Sequence, residues 1–248
     1  MAETKNKQQI VYGLRPVLEA LASGAQIERV LMQKGMNSSL LGELRSQMRE
    51  REIPSQYVPV EKLNRITSGN HQGVVAMIAA VRYRSFMELV ETLGERGLVV
   101  VLDHITDVRN MGGIARTAEC TGAGALVVPD RGSAAVSEDA IRASSGALLR
   151  VPVCREQNLK TVINLAKQYG YQVVAATEKG NVHYREVDFS GPTLLILGNE
   201  ETGVSPELLR MSDVRARLPM VGEVASLNVG VAAGVMLYEV LEQRLGRG

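Results

Sequence analysis

The stretch Leu98-Val-Val-Val-Leu-Asp103 is five aliphatic residues closed by one carboxylate. A half-exposed strand alternates apolar and polar side chains. An unbroken Val/Leu run fits instead a strand buried on both faces, as in a parallel sheet covered by helices. Similar runs recur at 125–129 (ALVVP), 171–177 (YQVVAAT), 193–198 (TLLILG) and 214–220 (VRARLPM). Helical patterns lie between most of them, and a long helix is expected over 226–245. The pattern predicts an α/β domain over 98–248 built on a parallel sheet. Ligands of such sheets sit beyond the carboxyl ends of the strands. Each expected strand ends in a polar or Gly/Pro-bearing loop: Asp103-His104, Pro129-Asp130, Thr177-Glu178, Gly198-Asn199 and Pro219-Met220.

Three of these ends carry unusual clusters. After the first, Asp103-His-Ile-Thr-Asp-Val-Arg-Asn110-Met-Gly112-Gly113-Ile-Ala-Arg116 opens a helix, with Asn110 as a candidate N-cap. Two glycines in a first helical turn suit close approach of a backbone or an anion. The second cluster, Gly198-Asn-Glu200-Glu201-Thr-Gly203-Val-Ser205-Pro206, bends on its glycines and starts a helix at Ser205-Pro206. Glu200 is available for polar contacts, and Glu201 reads as a solvated side chain. The third is Leu218-Pro-Met220-Val-Gly222, followed by Ser226-Leu227-Asn228-Val-Gly230 and Gly234. Here Ser226 is the expected cap, and Asn228 is expected as a buried amide in need of partners. Gly230 and Gly234, one turn apart, leave a smooth stripe for core packing or a second subunit. No GxGxxG follows the first strand, which disfavours a dinucleotide site and a metabolic nucleotide-binding enzyme.

Outward from this domain, residues 1–82 read as a small α/β unit and 83–97 as a linker with a short helix. Helices are expected over 13–22 and 40–51, and strands over 27–32 and 74–81. The 248-residue chain carries a formal net charge of +1. Residues 1–84 hold twelve basic and seven acidic side chains, a balance of +5, and residues 85–248 hold sixteen and twenty, a balance of −4. A basic first part suits nucleic acid. Only 4% of residues are aromatic and none is Trp, which argues against an aromatic stacking platform for single strands. Cys120 and Cys154 form no CxxC, and the three histidines are widely spaced, so no metal site is expected. The polar first residues and the lack of a long apolar run lead us to expect a cytoplasmic protein with no membrane partner.

In this order and spacing, the three clusters resemble the signature motifs of the SpoU (TrmH-type) RNA ribose 2′-O-methyltransferases. Residues 1–82, with Val11-Tyr-Gly-Leu-Arg-Pro16 and His71-Gln-Gly-Val74, are similar to the RNA-binding domain of its ribosomal RNA members, the RlmB-like enzymes, and to kink-turn-binding ribosomal proteins. Val108 departs from the family pattern, standing where a proline is usual. The resemblance implies a SPOUT-type sheet with a deep trefoil knot, a homodimer, S-adenosylmethionine as cofactor and RNA as partner. The activity it implies is 2′-O-methylation of a large-subunit ribosomal RNA guanosine. Alternatives are a tRNA ribose methyltransferase or a non-catalytic ribosome-assembly factor of the same fold. By position, Thr177, Gly198, Leu218, Met220, Ser226 and Leu227 would contact the cofactor. Asn110, Arg116, Glu200, Ser226 and Asn228 would lie near the transferred group. Arg116 would hold a phosphate and polarise the hydroxyl, because a guanidinium is a poor unaided base.

Overall fold

The computed structural model describes residues 10–23, 25–36, 38–223 and 226–246. The chain divides into two compact units, Met1–Arg82 and Tyr83–Gly248.

In the first unit, strands β1 (Ile10–Tyr12), β2 (Ile27–Gln33), β3 (Ser55–Val58) and β4 (Val74–Ile78) form a sheet in the order β1-β4-β2-β3. Helices α1 (Leu14–Ala22) and α2 (Ser39–Glu50) place Leu14, Val17, Leu21, Leu41, Leu44 and Met48 on Val30, Met32, Val74 and Ala76. The alternate residues Leu31 and Val75 face the other way, onto Leu63 of α3 (Val60–Ile66). The apolar run at 74 is therefore a central strand covered on both sides. Its pairing ends at Ile78, short of the expected 81.

The second unit holds a seven-stranded sheet among the described residues. Its strands are β5 (Leu98–Asp103), β6 (Ala125–Pro129), β7 (Val153–Glu156), β8 (Gln172–Ala176), β9 (Val182–His183), β10 (Thr193–Gly198) and β11 (Val214–Arg217). They lie in the order β7-β6-β5-β10-β8-β11-β9, and every pairing is parallel. Every residue of β5 and β10 is buried, as the unbroken aliphatic runs require. The connecting helices are α5 (Val108–Cys120), α6 (Glu138–Ala143), α7 (Leu159–Gln168) and α8 (Pro206–Met211), and α9 (Val229–Gly246) packs on α5. The stretch 83–97, expected as a linker, instead contributes to this core. Phe86, Leu89 and Val90 of α4 (Phe86–Val90) pack with Val99, Val127 and Cys154, and the Phe86 N–H donates to Glu156 Oε1 at 2.9 Å.

Chain order along the sheet reverses between β5 and β10, because the chain first runs outward to β6 and β7 and then returns on the other side. A crevice at such a switch point is where ligands of open parallel sheets bind. The C-terminal ends of β5, β10, β8 and β11 are successive neighbours there, which brings four of the five singled-out loops together. The Pro129-Asp130 loop, after β6, stands apart.

Candidate active site

The loop after β10 is shaped by Gly198. A Cβ on it would fall 2.1 Å from the Val204 nitrogen and 2.2 Å from the Gly203 carbonyl carbon, because the chain doubles back over this position. Asn199 and Gly203 exchange backbone hydrogen bonds of 3.1 and 2.8 Å. The Asn199 side chain fills the turn, accepting from the Glu201 N–H at 2.9 Å and donating to the His104 carbonyl at 2.9 Å. Asp103, only 2% exposed, ties the far side. Its Oδ2 accepts from the Ser205 N–H at 2.7 Å, while Oδ1 lies 2.6 Å from His104 Nδ1. A buried carboxylate is thus fully used in joining the β5 and β10 loops. Neither Asp103 nor Asn199 was singled out as a side chain from sequence. The available signal was a lone acid ending an otherwise aliphatic strand.

This scaffold presents Glu200 to two amides. Its Oε1 accepts from Asn110 Nδ2 and from Asn228 Nδ2, the latter at 2.9 Å, and Asn228 Nδ2 also donates to Asn110 Oδ1 at 3.0 Å. Three residues 28 to 118 positions apart in sequence therefore form one closed polar cluster. Glu200 Oε2 has no partner among the described residues. The two expected caps are corrected. Asp107, not Asn110, caps α5, its side chain accepting from the N–H groups of Arg109 and Asn110. Val108 is then the first helical residue, where a proline would also be tolerated. Asn228, not Ser226, caps α9 through Oδ1, at 2.9 Å from the Gly230 nitrogen and 3.3 Å from the Val231 nitrogen. Asn228 is exposed, not buried, yet its amide is fully engaged by the cap and the cluster.

The glycine pair of α5 also resolves. A Cβ on Gly112 would meet the Ala143 Cβ at 2.4 Å, whereas Gly113 faces open space. The small residue at Gly112 permits close packing of α6 on α5. Arg116 lies on α5, exposed, with no hydrogen bond or ion pair among the described residues. Of the five residues expected near the transferred group, Arg116 and Ser226 are the two outside the hydrogen-bonded cluster.

Beside the cluster opens a cavity of about 260 Å³, room for a nucleoside-sized body and not merely for waters of ~30 Å³ each. Thr177, Gly198, Leu218, Met220, Ser226 and Leu227 all line it. Glu200 lines it too, so the cavity and the polar cluster share a wall. Glu178, Lys179, Thr202 and Glu201 join the lining, and Glu201 is exposed, as its reading as a solvated side chain expects. Among the described residues no group of three His, Cys, Asp or Glu side chains could hold a metal ion, and no helix is long and apolar enough to cross a membrane.

Comparison with known proteins gives this geometry a family. Residues 97–238 match the SpoU rRNA Methylase family, and residues 10–84 match the RNA 2′-O ribose methyltransferase substrate binding family. A Staphylococcus haemolyticus protein assigned to the TrmH family of tRNA/rRNA methyltransferases is 34% identical over 238 residues, 95% of this chain and 96% of the relative. The AdoMet-bound rRNA methyltransferase of Sinorhizobium meliloti superposes with a TM-score of 0.62 at 30% identity, covering 94% of this chain and 86% of that one. The TrmH/SpoU tRNA modifying enzyme of A. aeolicus is 33% identical with a TM-score of 0.57, over 66% of this chain and 84% of that one. A parallel sheet with its polar cluster at the switch point, and matches that together span nearly the whole chain, agree: this chain belongs to the SpoU/TrmH family of RNA methyltransferases.

Proposed function

We propose that this protein transfers the methyl group of S-adenosylmethionine to a ribose 2′-oxygen of ribosomal RNA, with a large-subunit guanosine as the expected target. One observation carries the reading: all six residues expected to hold the cofactor line a single cavity, and Glu200 joins that cavity to the Asn110–Asn228 cluster. The lining fits the group. Leu218, Met220 and Leu227 offer apolar surface to an adenine, Thr177 and Ser226 offer hydroxyls, and Gly198, buried under the returning chain, forms part of the wall. When bound there, the cofactor supplies an activated methyl on a sulfonium.

The chain's own residues do the positioning. Asn110 and Asn228 fix the Glu200 carboxylate by one oxygen, so its direction is set before substrate arrives. Arg116 holds the phosphate beside the target ribose and polarises the hydroxyl. It does not accept the proton, since a guanidinium stays charged in proteins. When the 2′-oxygen is methylated, Glu200 Oε2, the RNA phosphate or water would take the hydroxyl proton.

The Met1–Arg82 unit is the RNA-binding domain in this reading, supported by its excess of basic residues and its family match. A tRNA target is the second reading, favoured by the 33% identity to a tRNA modifying enzyme; that likeness, however, extends over only 66% of this chain. The working form is a homodimer. Its support is the outer face of α9, where Val231, Val235 and Tyr238 are 53%, 36% and 49% exposed around an open Gly234. The C-terminal segment is a trefoil knot in this reading, supported by the resemblance of its motifs to those of the SpoU family. The site belongs in the cytoplasm with its RNA. Calorimetry with S-adenosylmethionine and a ribose-methylation map of ribosomal RNA, from cells with and without this protein, test the assignment. Cofactor binding and one lost methylated ribose are expected. Absence of cofactor binding would make the protein a scaffold.

A further inference from the structure

Among the described residues, Ser145 is one of four non-glycine residues with positive φ, at 53°. It follows α6, where the backbone turns back: the Ser145 N–H donates to the Arg142 carbonyl at 3.0 Å and the Gly146 N–H to the Ile141 carbonyl at 2.9 Å. A glycine suits such a helix end, because it enters the left-handed region without strain. A serine there costs stability that the helix end does not require. The Ser145 side chain is exposed, and its hydroxyl makes no hydrogen bond among the described residues. Neighbouring Ser144 behaves oppositely. It is fully buried, and its hydroxyl donates to the Ile141 carbonyl at 2.9 Å and accepts from the Leu148 N–H at 3.3 Å, pinning the turn. Strained residues held in place by their surroundings cluster at functional sites.

The turn's location says which function. At one end the Ser144 nitrogen would lie 2.9 Å from a Cβ on Gly112. At the other end Arg150 pairs with Glu119 at 3.7 Å. Between them, the 3-10 turn Ala147–Leu149 packs on α5. Residues 144–150 thus run alongside α5 from Gly112 to Glu119, and Arg116 emerges between those two on the same helical face. An exposed hydroxyl and an exposed guanidinium, neither with a hydrogen bond among the described residues, sit on two segments packed against each other.

We propose that Ser145 positions the RNA substrate, its hydroxyl donating to the phosphate group that Arg116 neutralises. This rests on the reading of Arg116 as a phosphate-holding residue. The Ser144 hydrogen bonds hold the turn that carries the exposed Ser145, so a hydrogen bond from it to RNA costs little backbone ordering on binding.

The test uses the full chain with unmodified large-subunit ribosomal RNA and tRNA transcripts, comparing Ser145→Gly, Ser145→Asn and Arg116→Ala with the unsubstituted protein. Ser145→Gly removes both hydroxyl and strain. It should raise Tm while raising KM for the methylated transcript about five- to tenfold, the worth of one hydrogen bond. Its S-adenosylmethionine Kd should stay unchanged. Ser145→Asn tolerates the left-handed backbone and keeps a donor, so it should restore KM to within about twofold of the unsubstituted value. A purely structural serine would move Tm and leave KM alone. If Ser145→Gly keeps its KM while Arg116→Ala loses RNA, the inference about Ser145 fails and the reading of Arg116 stands. If Arg116→Ala also keeps its KM, or neither transcript is methylated, that reading fails and takes the inference with it.

Discussion

At the scale of single residues, the site is an exercise in using every polar atom. Glu200 Oε1 takes two amide donors, and Asn228 both feeds that oxygen and caps α9. Asn228→Asp keeps an acceptor for the cap but replaces its donor with a second carboxylate beside Glu200. We expect the single-turnover methylation rate to fall on the order of 10²-fold, because the group that orients the site is repelled instead of held; rapid-quench kinetics at saturating RNA measures it. Gly198→Ala forces a Cβ into the returning backbone, so cofactor binding should be lost and stability should fall by about 1–3 kcal/mol, read by chemical denaturation. The two thiols should separate cleanly. Burial pushes the Cys154 thiol up to about 12, while Cys120 is exposed. A thiol reagent at pH 8 should therefore label Cys120 in the folded protein and Cys154 only after unfolding.

At the scale of elements, helix ends and strand ends carry the information. The Arg109 backbone N–H and then its guanidinium hold the Asp107 carboxyl below its ordinary value of 3.8. The charged cap is therefore fully present above that value and is lost as pH falls through the lowered one. Asp107→Asn should retain the cap and flatten the acid limb of a Tm-versus-pH curve, whereas Asp107→Ala should lower Tm at neutral pH. At the other end of the unit, Arg244 of α9 donates to the carbonyls of Phe189, Arg96 and Gly191 at 3.0, 2.8 and 2.9 Å. Arg244→Ala leaves these oxygens without their charged donor and should cost about 2–3 kcal/mol. The aliphatic runs made β5, β6, β8 and β10 legible, because burial on both faces leaves few other readings. Strands β3, β7 and β9 were not legible, since short or polar segments such as Ser55-Gln-Tyr-Val58 owe their pairing to neighbours. The motif residues were visible as types, but their hydrogen bonds were not. Asn110 reads as a cap until Asp107, three residues earlier, is seen to fill that role.

At the scale of the whole molecule, two units divide the labour in the proposed account. A chain lacking residues 1–82 should bind S-adenosylmethionine as before and bind RNA at least tenfold more weakly at physiological salt, with a shallower salt dependence, because phosphate contacts set that slope. If the α9 face joins two subunits, Tyr238→Glu should shift the sedimentation profile from dimer to monomer. The fold itself was legible from strand order of appearance, but the sheet order was not, since a parallel sheet permits several arrangements of the same runs. The most direct test of the central claim supplies deuterated-methyl S-adenosylmethionine and unmodified ribosomal RNA to the purified protein, then reads the digested nucleosides by mass spectrometry. The account predicts the heavy methyl on a ribose 2′-oxygen, lost in Asn110→Ala and Glu200→Gln. A heavy methyl on a base, or none on RNA that the protein demonstrably binds, would contradict it.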